Sequence, residues 1–208
     1  MSTLYNRFAG QSLERLGALS DGVFAIAMTL LVLDLRVSAK EAVHYGDLAG
    51  ALATLSPNLI AYFMSFLTLG IFWVGQQTQL NNFARSDRDL TWIHLGFLLT
   101  VSLMPFSTGL LARFIDYRLA LVVYWLNILL LGAVLFASLR YASHKGLLKS
   151  EVSEEMRSAA ERRIVVAQAL YAFGALLCII STHLSIAVIV LVQLNYAIAP
   201  RVRALYRL

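Results

Sequence analysis

Charged side chains are what this sequence has least of. Asp, Glu, Lys and Arg make up 14% of its 208 residues, against about 25% in soluble domains. Hydrophobic residues reach 59%, where about 45–50% is usual, and mean hydropathy is +0.71. Too few polar side chains are present to clothe a soluble surface, which excludes a soluble enzyme and a disordered chain. The single cysteine, Cys178 in an apolar run, leaves no disulfide framework and no Cys/His metal spacing, so no metal or other cofactor is expected. Catalytic apparatus is missing as well. The chain has no Gly-rich phosphate loop, no His-Glu-x-x-His pair and no Gly-x-Ser-x-Gly elbow. It also lacks the Thr-Val-Gly-Tyr-Gly filter of familiar potassium channels.

What is present is apolar sequence in runs long enough to cross a bilayer, about 20 residues each. Six such runs predict spans over 16–35, 55–74, 90–111, 119–139, 164–180 and 184–199. Only Ser181, Thr182 and His183 separate the last two, which reads as a tight hairpin, and Pro200 stops the sixth. The first run is too long for a signal peptide and carries Asp21 and Asp34. In the longest loop, Ser153-Glu154-Glu155 predicts a capped amphipathic lead-in to the fifth span. No internal repeat is visible, so residues 1–208 are expected to form one six-span domain, an all-α membrane protein.

The few charges divide unevenly between the two sides of these spans. One side holds 13 Lys and Arg: Arg7, Arg15, Arg85, Arg88, Arg140, Lys145, Lys149, Arg157, Arg162, Arg163, Arg201, Arg203 and Arg207. The other side holds four, Arg36, Lys40, Arg113 and Arg118. The positive-inside rule therefore places both termini in the cytoplasm. The net charge of +5 reads as topology signalling at an anionic leaflet, not as nucleic-acid binding, since no basic stretch is interleaved with aromatics.

Ionisable groups within a span are costly and are functional candidates by default. On the first helix, Gly22, Ile26, Thr29, Leu30 and Leu33 share one stripe, while Asp21 points nearly the opposite way and Ser20 sits about a third of a turn from the stripe. Arg15 lies on the stripe's azimuth, about three turns before Ile26. Asp21 and Ser20 read either as a tie between helices or as part of a proton or ion relay. Trp73 reads as an interfacial anchor, and Gln76 and Gln77 as partners for Asp21 or Arg15. Pro105 is expected to kink the third span, with Ser107 or Thr108 satisfying the carbonyl it frees. His94 is either pH-responsive or a packing histidine without a visible partner. Asn127, His183, Gln193 and Asn195 are further polar groups within the apolar runs.

Arg15-x-x-x-Leu19-Ser20-Asp21 resembles the Arg-x-x-x-Phe-Ser-Asp signature of the transmembrane protein 175 family, the endosomal and lysosomal potassium channels and their smaller prokaryotic relatives. The similarity runs on through Gly22 to Ile26 and Thr29 to Leu33. It resumes at Phe72-Trp73 and over Leu90 to Thr108, ending in Pro105-Phe106-Ser107-Thr108. The resemblance implies a potassium-permeable channel in the cell membrane of a prokaryote, a homotetramer whose first helix lines the pore. Ile26 would be its narrowest layer, with Thr29, Leu30 and Leu33 as further layers and Arg15, Ser20 and Asp21 as a supporting polar network. Three departures stand out. Leu19 replaces the signature Phe, Gln76-Gln77 stand where many relatives carry a His pair, and His94 stands where an Asn is common. The rival expectations are a small secondary or proton-coupled transporter, which needs a broken helix or an inverted repeat, and a non-conducting scaffold.

Overall fold

The computed structural model of the chain describes residues 12–36 and 48–198. Arg7, Lys40, Arg201, Arg203 and Arg207 of the charge count, and Ala199 and Pro200 at the end of the sixth span, lie outside the described residues. Among the described residues there are eight α-helices. They are α1 (Leu13–Leu30), continued by a 3-10 turn (Leu31–Asp34), then the short α2 (Leu48–Ala53) and α3 (Ser56–Asn82). After these come α4 (Arg88–Ser102), α5 (Met104–Arg113) and α6 (Arg118–His144). The chain continues with α7 (Glu154–Leu176), which ends in a 3-10 turn (Leu177–Ile179), and then α8 (Thr182–Ile198). Five continuous or nearly continuous segments are long and apolar enough to cross a bilayer. The 17-residue α8 is a sixth apolar helix, at the short end of the roughly 17–25 residues that suffice. The all-α, six-helix expectation therefore holds.

Local chemistry explains the helix ends. Ser12 caps α1 by accepting from the Arg15 amide, Asp87 caps α4 by accepting from Leu90, and Ser153 caps α7 by accepting from Met156. The lead-in to the fifth span is thus continuous with the span itself. α3 runs eight residues past the expected end at Val74, because Gln76 and Gln79 are buried against neighbouring helices and do not mark a water boundary. The third span is broken into α4 and α5 at Leu103, with Pro105 in the first turn of α5. The expected rescue differs in detail. The Ser107 and Thr108 hydroxyls donate to the Met104 carbonyl at 3.0 and 2.7 Å, while the Leu103 amide reaches back to the Leu99 and Val101 carbonyls.

Lipid tails are as apolar as leucine, so burial alone gives helices little reason to associate, and close packing and hydrogen bonds must do so. Both are visible. Gly132 on α6 leaves room for the Gln168 amide of α7, which donates to the Ile128 carbonyl at 3.3 Å. Ser185 of α8 donates to the Gly174 carbonyl of α7 at 2.5 Å. Behind α1, Phe24 and Phe72 flank Phe97 with ring centroids 6.0 and 6.5 Å apart. At the end bearing most of the basic residues, the Ala84 amide donates to Leu147 O and the Lys149 amide to Asn82 O, joining two loops over a small apolar cluster. α3, α4, α5 and α6 pack on one another as a frame against which α1 lies.

Candidate functional site

At 3.6 residues per turn, Leu16, Ser20, Phe24, Ala27 and Leu31 gather on one side of α1, and all five are buried. The opposite side carries Gly22, Ile26, Thr29, Leu30 and Leu33, none of which is buried by its own chain. Ile26 is 61% exposed and Leu33 50%. The four expected pore residues thus lie together on an open face. Thr29 donates its hydroxyl hydrogen back to its own helix, toward the Ala25 and Ile26 carbonyls at 3.0 and 2.9 Å. Its oxygen lone pairs are what remain for any partner outside the chain.

Ser20 and Asp21 are neighbours about 100° apart around the helix, so they enter two separate polar clusters. Ser20 is fully enclosed. Its hydroxyl donates to the Leu16 carbonyl at 2.8 Å, shares a 2.7 Å hydrogen bond with His94 Nε2 and accepts from Gln76 Nε2 at 3.1 Å. Gln76 Nε2 also lies 3.3 Å from His94 Nε2. Beside this knot is a water-sized cavity lined by Gln76, Gln79, His94, Phe97, Leu135 and Ser138 among others, and Gln76 Oε1 has no hydrogen-bond partner among the described residues. Asp21 is exposed, and its Oδ1 accepts from Trp73 Nε1 at 2.8 Å and Gln77 Nε2 at 2.7 Å.

The sequence reading paired these residues only in part. Gln77 bonds Asp21 as expected, but Gln76 serves Ser20, and Trp73 is an indole donor to Asp21. His94, which showed no partner in sequence, bonds Ser20 across the α1–α4 contact. Arg15 stands apart: it is exposed and makes no ion pair among the described residues. Six residues of helix set it about 120° around the axis from Asp21, which turns the guanidinium away from the carboxylate's partners.

A third polar cluster, in the middle of the bundle, escaped the sequence reading in part. The Thr108 and Ser65 hydroxyls lie 2.6 Å apart, those of Ser65 and Tyr124 3.4 Å apart, and Gln193 Nε2 donates to Thr68 at 2.7 Å. Thr68 and Tyr124 hydroxyls lie 3.3 Å apart, and Asn127 donates to Ser107 at 3.2 Å. Thr108, Asn127 and Gln193 were visible as polar residues in apolar runs. Ser65, Thr68 and Tyr124 look unremarkable there, and only the i, i+3 spacing of Ser65 and Thr68 hints at a shared face. His183 is exposed, 3.7 Å from Asp116. Among the described residues, no three His, Cys, Asp or Glu side chains gather as a metal site.

Comparison with known proteins bears on this arrangement. A family model described as the endosomal/lysosomal potassium channel TMEM175 matches residues 15–105, the stretch that holds α1, α3 and α4. A protein of Chamaesiphon minutus named as a potassium channel is 31% identical over 189 residues, covering 88% of this chain and 93% of that protein. One of Streptomyces collinus, also named as a potassium channel, is 42% identical over 101 residues, which is 49% of this chain and 48% of that relative's length. Among solved structures, a crystal structure of a lysosomal potassium-selective channel TMEM175 homolog from Chamaesiphon minutus superimposes with a TM-score of 0.80 at 28% identity. It covers 91% of this chain and 98% of that one.

Proposed function

Because the chain belongs to the TMEM175 family, we propose that it conducts potassium ions as a homotetramer, with α1 of each six-span subunit lining the pore. The observation that carries this reading is the division of α1 into a bonded back and an open front. Ser20 and Asp21 tie the helix to α3 and α4, while Ile26, Thr29, Leu30 and Leu33 are left uncovered by their own chain. Lipid would accept the apolar members of that front but gains nothing from the outward lone pairs of Thr29. A four-fold axis accepts both.

In this arrangement four Ile26 side chains form an apolar ring, and an ion crossing it gives up part of its hydration against a wall that offers no replacement ligands. Potassium sheds water at lower cost than sodium, so selection follows from dehydration and is modest. Thr29 supplies acceptor oxygens one turn beyond the ring, and Leu33 forms the outer layer. Arg15, Ser20 and Asp21 are the supporting group, with Arg15 acting at the membrane surface and not through the Ser20 knot. The subunits sit in the cell membrane of a prokaryote with both termini cytoplasmic, as the distribution of basic residues supports.

The break at Leu103 favours one rival, since discontinuous helices build the binding sites of secondary transporters. Val101, Met104, Ser107 and Thr108 are all buried around that break, however, and this packing supports a structural joint. Potassium flux from proteoliposomes holding the purified protein decides between them. Non-saturating flux down a potassium gradient alone is the channel outcome. Saturable flux that requires a co-ion would establish the carrier, and no flux the scaffold.

A further inference from the structure

Asp34, at the far end of the pore helix, is a carboxylate that the conduction mechanism leaves unused. It closes the 3-10 turn one residue beyond Leu33, and its main-chain carbonyl accepts from Asn58 Nδ2 of α3 at 3.0 Å. Its carboxylate lies against α5, where Gly109 is buried. A Cβ added at Gly109 would stand 2.8 Å from Asp34 Oδ2 and 3.4 Å from Cγ. Arg113, one helical turn further along α5, approaches Oδ1 at 3.8 Å, but its side chain is 72% exposed. Solvent screening makes that ion pair a weak restraint. Steric exclusion is not screened, so the notch at Gly109 and the Asn58 bond are what locate the residue.

We propose that Asp34 is a positioning residue for the outer end of the pore: seated in the notch left by Gly109, it sets the depth and rotation of the last turn of α1 and hence the geometry of the Leu33 layer. The coupling is mechanical. In a 3-10 turn each residue advances about 2 Å and turns about 120°, so a shift or rotation of the Asp34 main chain carries the adjacent Leu33 with it. The inference rests on the reading of α1 as the pore helix.

The test uses purified full-length protein in planar bilayers, reading single-channel conductance and the potassium-to-sodium permeability ratio. Gly109→Ala is expected to change one or both by about two-fold or more, and Asp34→Ala/Gly109→Ala to return to the values of Asp34→Ala alone, because contacting residues couple non-additively. Gly96→Ala, whose added Cβ meets nothing within 4 Å, should match wild type. Assembled Gly109→Ala channels with wild-type conductance and permeability, or strictly additive effects in the double variant, overturn the proposal. If Gly109→Ala fails to assemble, recovery of assembly in the double variant supports the notch, and failure of both overturns it. A wild-type protein without potassium current removes the channel reading itself, whereas a conducting wild type with an indifferent Gly109→Ala removes only the role of Asp34.

Discussion

On the side of α1 that meets α3 and α4, Ser20 has its hydroxyl fully engaged, and Phe24, Ala27 and Leu31 are enclosed by neighbouring helices. On the other side Ile26, Leu30 and Leu33 are left largely uncovered by their own chain, and Thr29 among them has turned its hydroxyl hydrogen inward. One helix thus carries two sets of side chains with different work. The back fixes its position, and on the proposed channel reading the front is free to be chosen for what an ion meets. Stability and conduction should then separate by face, and substitutions can show whether they do.

The largest effect belongs to the front. Ile26→Asn places a polar amide where an apolar ring would exclude water, and should raise potassium conductance by about ten-fold and lower potassium-over-sodium selectivity. Single-channel recording measures both, and thermal stability of the assembled protein should stay close to wild type. On the back, His94→Leu leaves Ser20 and Gln76 short of a partner in apolar surroundings, a loss of about 1–3 kcal/mol. It should appear as a lower melting temperature in detergent, with conductance per assembled channel little changed. A conducting phenotype from His94→Leu without loss of stability would invert the comparison.

Thr29→Val sharpens the front alone. The two side chains are similar in shape, and the hydroxyl hydrogen serves only its own helix, so the fold should be unaffected. Potassium conductance should fall by about two-fold through loss of the acceptor oxygens. The smallest change is expected from Asp21→Asn. An amide oxygen can still accept from Trp73 and Gln77, and at an exposed site the lost charge is worth less than about 1 kcal/mol. A melting curve shifted as far as that of His94→Leu would show that the Asp21 charge, and not its acceptor geometry, holds α1 to α3.

The exposed stripe was legible because helical periodicity alone gathers Gly22, Ile26, Thr29, Leu30 and Leu33. The partners of the back face were legible only in type. Gln76 and Gln77 are adjacent amides with equal bonding capacity, and nothing local says that one reaches buried Ser20 and the other exposed Asp21. His94 and Ser20 are 74 residues apart, and their meeting depends on how α4 crosses α1. Arg15 shares the signature with Ser20 and Asp21 in sequence but not their surroundings, since adjacency along a helix scatters side chains around its axis.

By itself the sequence determined membrane residence, the six apolar spans, the uneven distribution of basic residues and the stripe on the first helix. Each follows from composition or from a fixed helical repeat, properties that need no knowledge of neighbours. Tertiary structure decided which side of α1 is covered, which amide serves which acceptor, that Ser65, Thr68, Tyr124 and Gln193 meet in the bundle interior, and that Asp34 rests where Gly109 has no Cβ. These depend on the depth and rotation at which helices pack. In a bilayer, where apolar surface is at ease everywhere, small notches and scarce hydrogen-bonding groups set that geometry.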